Sequence, residues 1–340
     1  MKNSSKLGGM ITLSLLCFLA AACIGSVAIP AKEALAVIAQ RLFGISLLRD
    51  VEPLTQTIVW DLRLARASLA FLVGASLAVS GTVMQSVLRN PLASSYTLGV
   101  SSGASLGAAL IIISGFSLPI VGAFTLPLAG LLTGLLTVYL AVAMASRVDK
   151  GFSGNTIVLT GMVFTLFVNA LLTLVAYFFP NRTRHILLWQ MGSFALKDWG
   201  TVRVLLPIAI VGLFFLMRYA RELDMLTFGE EQAAVMGVET RRVKWILMFL
   251  AAALTGSAVS FAGIIGFIDL ISPHVVRRWV GAAHRWVLPL SALFGGSFMV
   301  LADIVARTVI SPTELPVGAI TALLGGPFFL YVYFQKRRRY

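Results

Sequence analysis

The chain of 340 residues is 58% hydrophobic and only 12% charged, with a mean hydropathy of +0.91 and a formal net charge of +13. Soluble domains carry about twice that charged fraction, so the composition excludes a soluble domain and points to an all-α polytopic membrane protein, with room for about eight to eleven spans of roughly 20 residues each. The basic residues sit in short gaps between apolar runs, which is the pattern of membrane topology and not of nucleic-acid binding.

The first apolar run, 10–29, follows Lys2 and Lys6. Ala20-Ala21-Ala22-Cys23 resembles a lipoprotein cleavage site, but the run exceeds a usual signal core and many runs follow it, so it reads as an uncleaved first span. Cys17 and Cys23 lie six residues apart in this run and give no disulfide framework. The longest polar stretch, 30–61, is amphipathic over 31–43 and is expected at the membrane surface. Nine further runs follow: 66–88, 94–114, 118–145, 155–179, 201–219, 243–262, 264–281, 287–308 and 316–335. Gly263 and Gly266 supply the break between the seventh and eighth of the ten spans. Most Lys and Arg fall on the side of the N-terminus, including Arg89, Arg147, Arg241, Arg242, Lys244, Arg277 and the C-terminal run Lys336, Arg337, Arg338 and Arg339. That asymmetry places both termini in the cytoplasm, with Arg63, Arg66, Arg182 and Arg184 outside.

The second and third spans form a hairpin over 62–107. Arg63 and Arg66 open it, Arg89-Asn90-Pro91 makes its turn, and Gly99, Gly103 and Gly107 repeat every four residues. Gly130 and Gly134 continue the theme. Small residues at this spacing let helix backbones approach, either within one subunit or between subunits. Gly74, Gly81, Leu88 and Pro91 share their spacing with Gly256, Gly263, Leu270 and Pro273. Spans 2–5 and 7–10 would then be inverted repeats, an arrangement found in transporters.

Arg63 and Arg66 share a helical face, and Arg307 lies one turn after Asp303. Charge alone leaves two readings. Asp303 and Arg307 form a local pair while Arg63 and Arg66 snorkel to headgroups, or the guanidinium groups offer forked donors to carboxylates arriving from outside. The longest cytoplasmic loop, Arg218–Lys244, has Thr227 three residues before Glu230, the spacing of a capping box, and Gly237 as a helix end. Such a helix lies on the membrane or docks into a partner. No G-x-x-x-x-G-K-[ST] or H-E-x-x-H is present, and His185, His274 and His284 are scattered. The chain therefore reads as non-enzymatic, and any ATP that drives it is bound by another subunit.

The run L-R-L-A-R…G-A-S-L-A-V-S-G…R-N-P-L-A…L-G-V-S-S-G-A resembles the second and third spans of the iron–siderophore and vitamin B12 importer permeases. Similar motifs follow: W-Q-M-G-S at 189–193, L-T-F-G-E-E-Q-A at 226–233, G-F-I-D-L-I-S-P-H at 266–274, L-A-D-I-V-A-R at 301–307, E-L-P-V-G-A-I-T-A at 314–322 and G-G-P-F-F-L-Y at 325–331. The resemblance covers nearly everything past about residue 55. It implies a single permease domain over 1–340 in the bacterial cytoplasmic membrane. It also implies a second permease, identical or paralogous, two cytoplasmic ATPases that hold ATP and Mg, and an external binding protein that delivers a ferric siderophore. Vitamin B12 or haem is the alternative cargo. By the same resemblance Arg63, Arg66 and Arg307 receive the binding protein. Gly229, Glu230, Glu231, Ala234 and Gly237, in a coupling loop over 221–240, seat on the ATPase. Asn90, Leu92, Gly154 and Asn155 form the cytoplasmic gate. No cofactor or metal is implied for this chain itself. Ala65 replaces the usual proline of L-R-L-P-R, so the helix is expected to start slightly earlier. Asp269 replaces the usual glycine and is expected to line the outer vestibule. An ion-coupled secondary transporter is the reading from a different class, and a passive channel lacks a charged ring or filter-like repeat.

Overall fold

The computed structural model describes residues 2–45, 47, 48 and 51–337, and every regular element among them is helical. Arg338 and Arg339 of the C-terminal basic run lie outside the described residues. The chain opens with α1 (Lys2–Cys23) and α2 (Ala31–Phe43). A continuous 35-residue helix, Pro53–Val87, comes next. It comprises α3 (Pro53–Thr57), a π-helical turn (Ile58–Leu64) and α4 (Ala65–Val87). Then come α5 (Val100–Ser114), α6 (Thr125–Val148), α7 (Gly154–Phe178), α8 (Pro180–Gln190) and α9 (Trp199–Arg218). The short α10 (Ala220–Phe228) and α11 (Glu230–Val235) lead into α12 (Thr240–Ala262), α13 (Ile268–Val280), α14 (His284–Thr308) and α15 (Val317–Arg337).

Each of the ten expected spans contains one of these helices, but among the described residues only seven are long and apolar enough to cross a membrane by themselves. The 94–114 run begins as a 3-10 turn, Ser95–Leu98, and becomes helical only after Gly99, whose φ is +88°. The 264–281 run starts late because Gly263 ends α12 at φ +80° and Phe267 sits at φ +70° before α13. A helix of 13 residues is about 20 Å long, short of the bilayer core. The first helix ends at Cys23, ahead of the expected 29, and the second starts at Pro53, well ahead of Arg63. Proline at the first helical position suits that start, because the missing N–H would have had no partner there. The amphipathic stretch 31–43 is a helix with those bounds, with Ala34, Ala36 and Val37 buried.

Helix α4 is the centre of the molecule. It packs on α14, α12, α13 and α9, and 83% of the apolar window of Pro53–Val87 is buried. A helix that is apolar all round belongs inside a bundle, and α4 carries small residues where its neighbours come closest. Gly74 faces the backbone of Gly295, and Gly81 faces the carbonyl of Asp269. The repeating glycines of α5 pack within the subunit: a Cβ on Gly103 would lie 2.7 Å from the Thr133 carbonyl oxygen, and one on Gly107 would lie 2.6 Å from that of Ala129.

The spaced quartets of the two halves do not occupy equivalent places. Gly81 is inside α4 whereas Gly263 terminates α12, and Pro91 is in a turn whereas Pro273 is inside α13. The correspondence lies in the packing. Exchanging α4 with α12, α5 with α13, α6 with α14 and α7 with α15 turns the α4–α14 contact into α12–α6, α4–α13 into α12–α5, and α5–α7 into α13–α15, all of which are present.

Gly107→Val is expected to force α5 off α6 and to cost about 1–3 kcal/mol, the usual penalty of overpacking. Thermal unfolding in detergent should show a lowered midpoint for Gly107→Val and an unchanged one for Gly8→Ala, where a Cβ meets nothing within 4 Å.

Candidate functional site

At one end of the bundle, Arg63, Arg66 and Arg307 line a single cavity of about 610 Å³, together with Lys197 and Glu314. The π-helical turn brings Arg63 into place and α4 presents Arg66, while Arg307 comes from the last turn of α14. All three arginines are buried, and each donates hydrogen bonds within the chain. Arg63 Nη1 donates to the carbonyls of Ala22 (2.8 Å) and Cys23 (2.9 Å), and its Nη2 donates to that of Val27. Arg307 Nη2 donates to the Ala21 carbonyl at 2.7 Å. Two guanidinium groups thus satisfy the free carbonyls at the C-terminus of α1, where positive charge also meets the negative end of the helix dipole.

Arg66 grips two carboxylates. Its Nε and Nη2 reach Asp303 Oδ1 at 2.9 and 2.8 Å, and its Nη1 reaches Glu314 Oε1 at 2.7 Å and Oε2 at 2.9 Å. The local Asp303–Arg307 pair expected from spacing is only a 3.8 Å approach, and Arg307 Nε has no hydrogen-bond partner. The planar fork of Arg66 fits the Asp303 carboxylate from across the helix interface better than a residue one turn along can. Lys197, like Arg63, lines the cavity without a carboxylate held in a salt bridge. Burial pushes its ammonium below the usual lysine value, and the adjacent Asp198 opposes that shift. Sequence reasoning missed Lys197, which stands in a loop with no motif, and quoted Glu314 only as part of E-L-P-V-G.

At the other end of α4 the chain turns through Arg89, which adopts φ +48°. Asn90 Oδ1 accepts from the Leu92 amide at 2.9 Å, closing an Asx turn that leaves Leu92 47% exposed. Gly154, the first residue of α7, lies so close that a Cβ there would sit 3.0 Å from the Leu88 carbonyl oxygen, and Asn155 beside it is exposed. The start of α7 at Gly154 thus lies against Leu88, two residues before Asn90. Asp149 holds the loop before α7 by accepting from Gly151 N (2.8 Å), Ser153 N (2.9 Å) and Thr156 Oγ1 (3.0 Å). These hydrogen bonds, those from Ser153 foremost, keep its carboxyl well below the usual carboxylate range. A depressed carboxylate stabilises the fold above the unfolded-state pKa of about 4, and that contribution disappears only on further acidification.

The expected coupling segment is two helices joined at Gly229, whose φ of +129° only glycine adopts readily. The capping box does not form. Thr227 lies in the last turn of α10 and donates to the Asp224 carbonyl at 2.6 Å. Glu230 pairs instead with Lys244 Nζ at 2.6 Å. Lys244, expected in the cytoplasmic loop, is fully buried; it also donates to the Phe152 carbonyl at 2.5 Å and lies 5.1 Å above the Phe152 ring centroid. Gly237 does mark the helix end, at φ +87°, with Val238 N bonding back to Ala233 O at 3.0 Å. Between them Glu231, Ala234 and Val235 are exposed, Val235 at 90%, beside exposed Phe228 and Met236.

Asp269, expected at the outer vestibule, does not line the arginine cavity. It is buried against Gly81, its Oδ2 takes the hydroxyl of Ser94, and its Oδ1 has no partner. The close α4–α13 approach at Gly81 draws the start of α13 into the middle of the bundle and Asp269 with it.

The model of the FecCD transport family matches residues 13–335. The hemin transport system permease protein HmuU of Yersinia pestis is 40% identical over 287 residues, covering 83% of this chain and 84% of the relative. The cobalamin import system permease protein BtuC of Halobacterium salinarum is 42% identical over 278 residues, covering 82% and 73%. A solved structure of a metal-chelate type ABC transporter, in an inward-facing conformation, superposes with a TM-score of 0.85 at 30% identity, covering 98% of this chain and 99% of that one.

Removing Arg66 strands the Asp303 carboxylate in a buried setting, which typically costs about 3–5 kcal/mol. Arg66→Ala should lower the thermal midpoint strongly, and Lys197→Ala, which breaks no ion pair in the chain, should leave it near wild type. Unfolding followed in parallel for the two variants checks this.

Proposed function

The chain belongs to the FecCD transport family of ABC importer permeases, and on that premise we propose that it carries a metal chelate, a ferric siderophore by its sequence pattern, across the bacterial cytoplasmic membrane. The observation that carries this reading is the helix Pro53–Val87, about 50 Å long at 1.5 Å per residue. Its start bears the arginine-lined cavity and its end bears the gate turn. In this reading the cavity faces outward, ten helical segments belong to the membrane region as two inverted halves, and both termini are cytoplasmic.

An external binding protein loaded with chelate docks over Arg63, Arg66 and Arg307. Because Arg66 and Arg307 are already held from within, they fix the shape and charge of the rim, and acidic residues of the incoming protein meet a surface that needs no reordering. A second permease completes the pathway. Two ATPases, which bind ATP and Mg in their own chains, seat on the segment that holds Gly229, Glu230, Glu231, Ala234 and Gly237, of which Glu231, Ala234 and Gly237 are exposed. Their closure moves that segment. Lys244 ties Glu230 to the loop that starts α7, so the motion reaches Gly154 and Asn155 and parts them from Asn90 and Leu92. The access then alternates between the two ends. Haem or cobalamin is the second reading for the cargo, favoured by the named relatives.

The test is ATP-driven uptake in proteoliposomes holding the permease with its ATPases and binding protein. Val235→Asp, at an exposed position, should abolish copurification of the ATPases and lower uptake at least about tenfold, the factor that follows from about 1.4 kcal/mol of lost seating energy. Uptake driven by an ion gradient with no ATPase present would instead establish a secondary transporter. Competition among a ferric hydroxamate, haem and cobalamin identifies the cargo, and the account expects the ferric hydroxamate to win.

A further inference from the structure

His284 is the first residue of α14 and is 1% exposed. Its two ring nitrogens face two different helices. Nδ1 lies 2.6 Å from Asp224 Oδ1 on α10, and the His284 backbone amide donates to the same oxygen at 2.9 Å. Nε2 lies 2.7 Å from Ser86 Oγ, at the last turn of α4. The carboxylate can only accept, so Nδ1 carries its proton toward Asp224, and the ring is fixed with Nε2 aimed at the serine. The serine oxygen is held in turn by Arg277 of α13, whose Nη2 donates to it at 3.1 Å and to the Thr82 carbonyl at 3.1 Å. Arg277 Nη1 donates to Gln85 Oε1 at 2.5 Å, and Gln85 Nε2 reaches the carbonyls of Asp269 and Leu270 at 3.4 Å. One chain of polar contacts thus joins α10, α14, α4 and α13.

The position of this chain is what gives it meaning. Asp224 lies five residues before Gly229, where α10 gives way to the segment with the exposed apolar face. Ser86 lies four residues before Asn90, whose side chain shapes the turn carrying Leu92. Apolar side chains between two helices can slide past one another, because dispersion has no direction. A buried hydrogen bond has both a length and an angle, and breaking it leaves desolvated polar atoms. A displacement of α10 must therefore drag the imidazole, and with it the end of α4, or leave a buried ring nitrogen unpaired.

We propose that Asp224, His284 and Ser86 form the linkage that carries displacement of α10 and α11 to the gate end of α4. They are positioning residues for the gate formed by Asn90 and Leu92. This inference rests on the reading of α10 and α11 as the seat of the ATPases. It names a second route beside the Lys244 contact, one that reaches α4 where the other reaches α7.

The experiment measures ATP hydrolysed per chelate transported by the complete reconstituted importer, for wild type, Asp224→Ala, Ser86→Ala and the double variant. The linkage predicts that each single change raises this ratio about tenfold or more, the factor expected from losing one charge-assisted hydrogen bond. ATPase copurification stays at the wild-type level, and the double variant is no worse than the worse single, because both cut the same chain. If uptake and hydrolysis fall together at a constant ratio, the residues serve only stability and the proposal is overturned. Additive effects in the double variant overturn it as well. Should Asp224→Ala not assemble, Ser86→Ala decides alone, because it removes one oxygen from α4 and leaves α10 untouched. A wild-type complex that does not couple ATP to uptake refutes the functional reading itself. A wild-type complex that couples, with variants that couple equally well, refutes the linkage alone.

Discussion

Everything in this molecule is arranged around a helix that has almost no face left for lipid. A lipid-facing helix is held by packing energy alone, since surrounding acyl chains are as apolar as its own side chains. Helix α4 avoids that weakness by meeting other helices on all sides, and it can do so only because Gly74 against Gly295, and Gly81 against Asp269, let backbones come into contact. Once lipid is excluded, polar groups become usable along its length. Arg66 takes up Asp303 and Glu314 at one end. In the middle, Ser80 bonds to the Ala251 carbonyl at 2.8 Å and receives Thr255 at 2.7 Å. Ser86 meets His284 at the other end. Each level adds direction to what packing alone would leave free to slide.

The two ends differ in what they are built to do. At the arginine end, three guanidinium groups are buried, and two of them hold the last carbonyls of α1. That end is a fixed rim. At the opposite end, Leu92, Asn155, Val235 and Phe228 are exposed and turns are shaped by single glycines or left-handed residues, over an apolar cluster that includes Leu88, Phe152, Leu223 and Ala233. An arginine-lined rim at one end and exposed turns over an apolar cluster at the other suit the docking and gating roles proposed above.

What could be read in the sequence follows from how local each signal was. The amphipathic stretch 31–43 kept its bounds because its periodicity and Gly44, at φ +70°, both act within a turn. The identity of the arginines at the cavity was legible because positive charge inside an apolar run is costly enough to be conspicuous. Their partners were not, because Arg66 and Asp303 are 237 residues apart and spacing favoured the nearer Arg307. Lys244 looked like a loop charge because it stands next to Arg241 and Arg242, and only the fold shows Phe152 and Glu230 closing over it. Asp269 was misplaced because hydropathy counts residues along an uninterrupted span, while Phe267 and Gly263 delay α13 and shift its start inward. The shared glycine–leucine–proline spacing does not fall on equivalent places of the two halves, because Gly81 is inside α4 whereas Gly263 ends α12.

The central claim is that α3 and α4 act as one rod between the rim and the gate. Spin labels at the exposed positions Leu62 and Leu92, and separately at Leu92 and Asn155, test it directly in a background lacking Cys17 and Cys23. With the complete importer cycling between ATP-free and ATP-bound states, the account predicts one unchanged Leu62–Leu92 distance and a shifted Leu92–Asn155 distance. A Leu62–Leu92 distance that changes while Leu92–Asn155 stays fixed would contradict it.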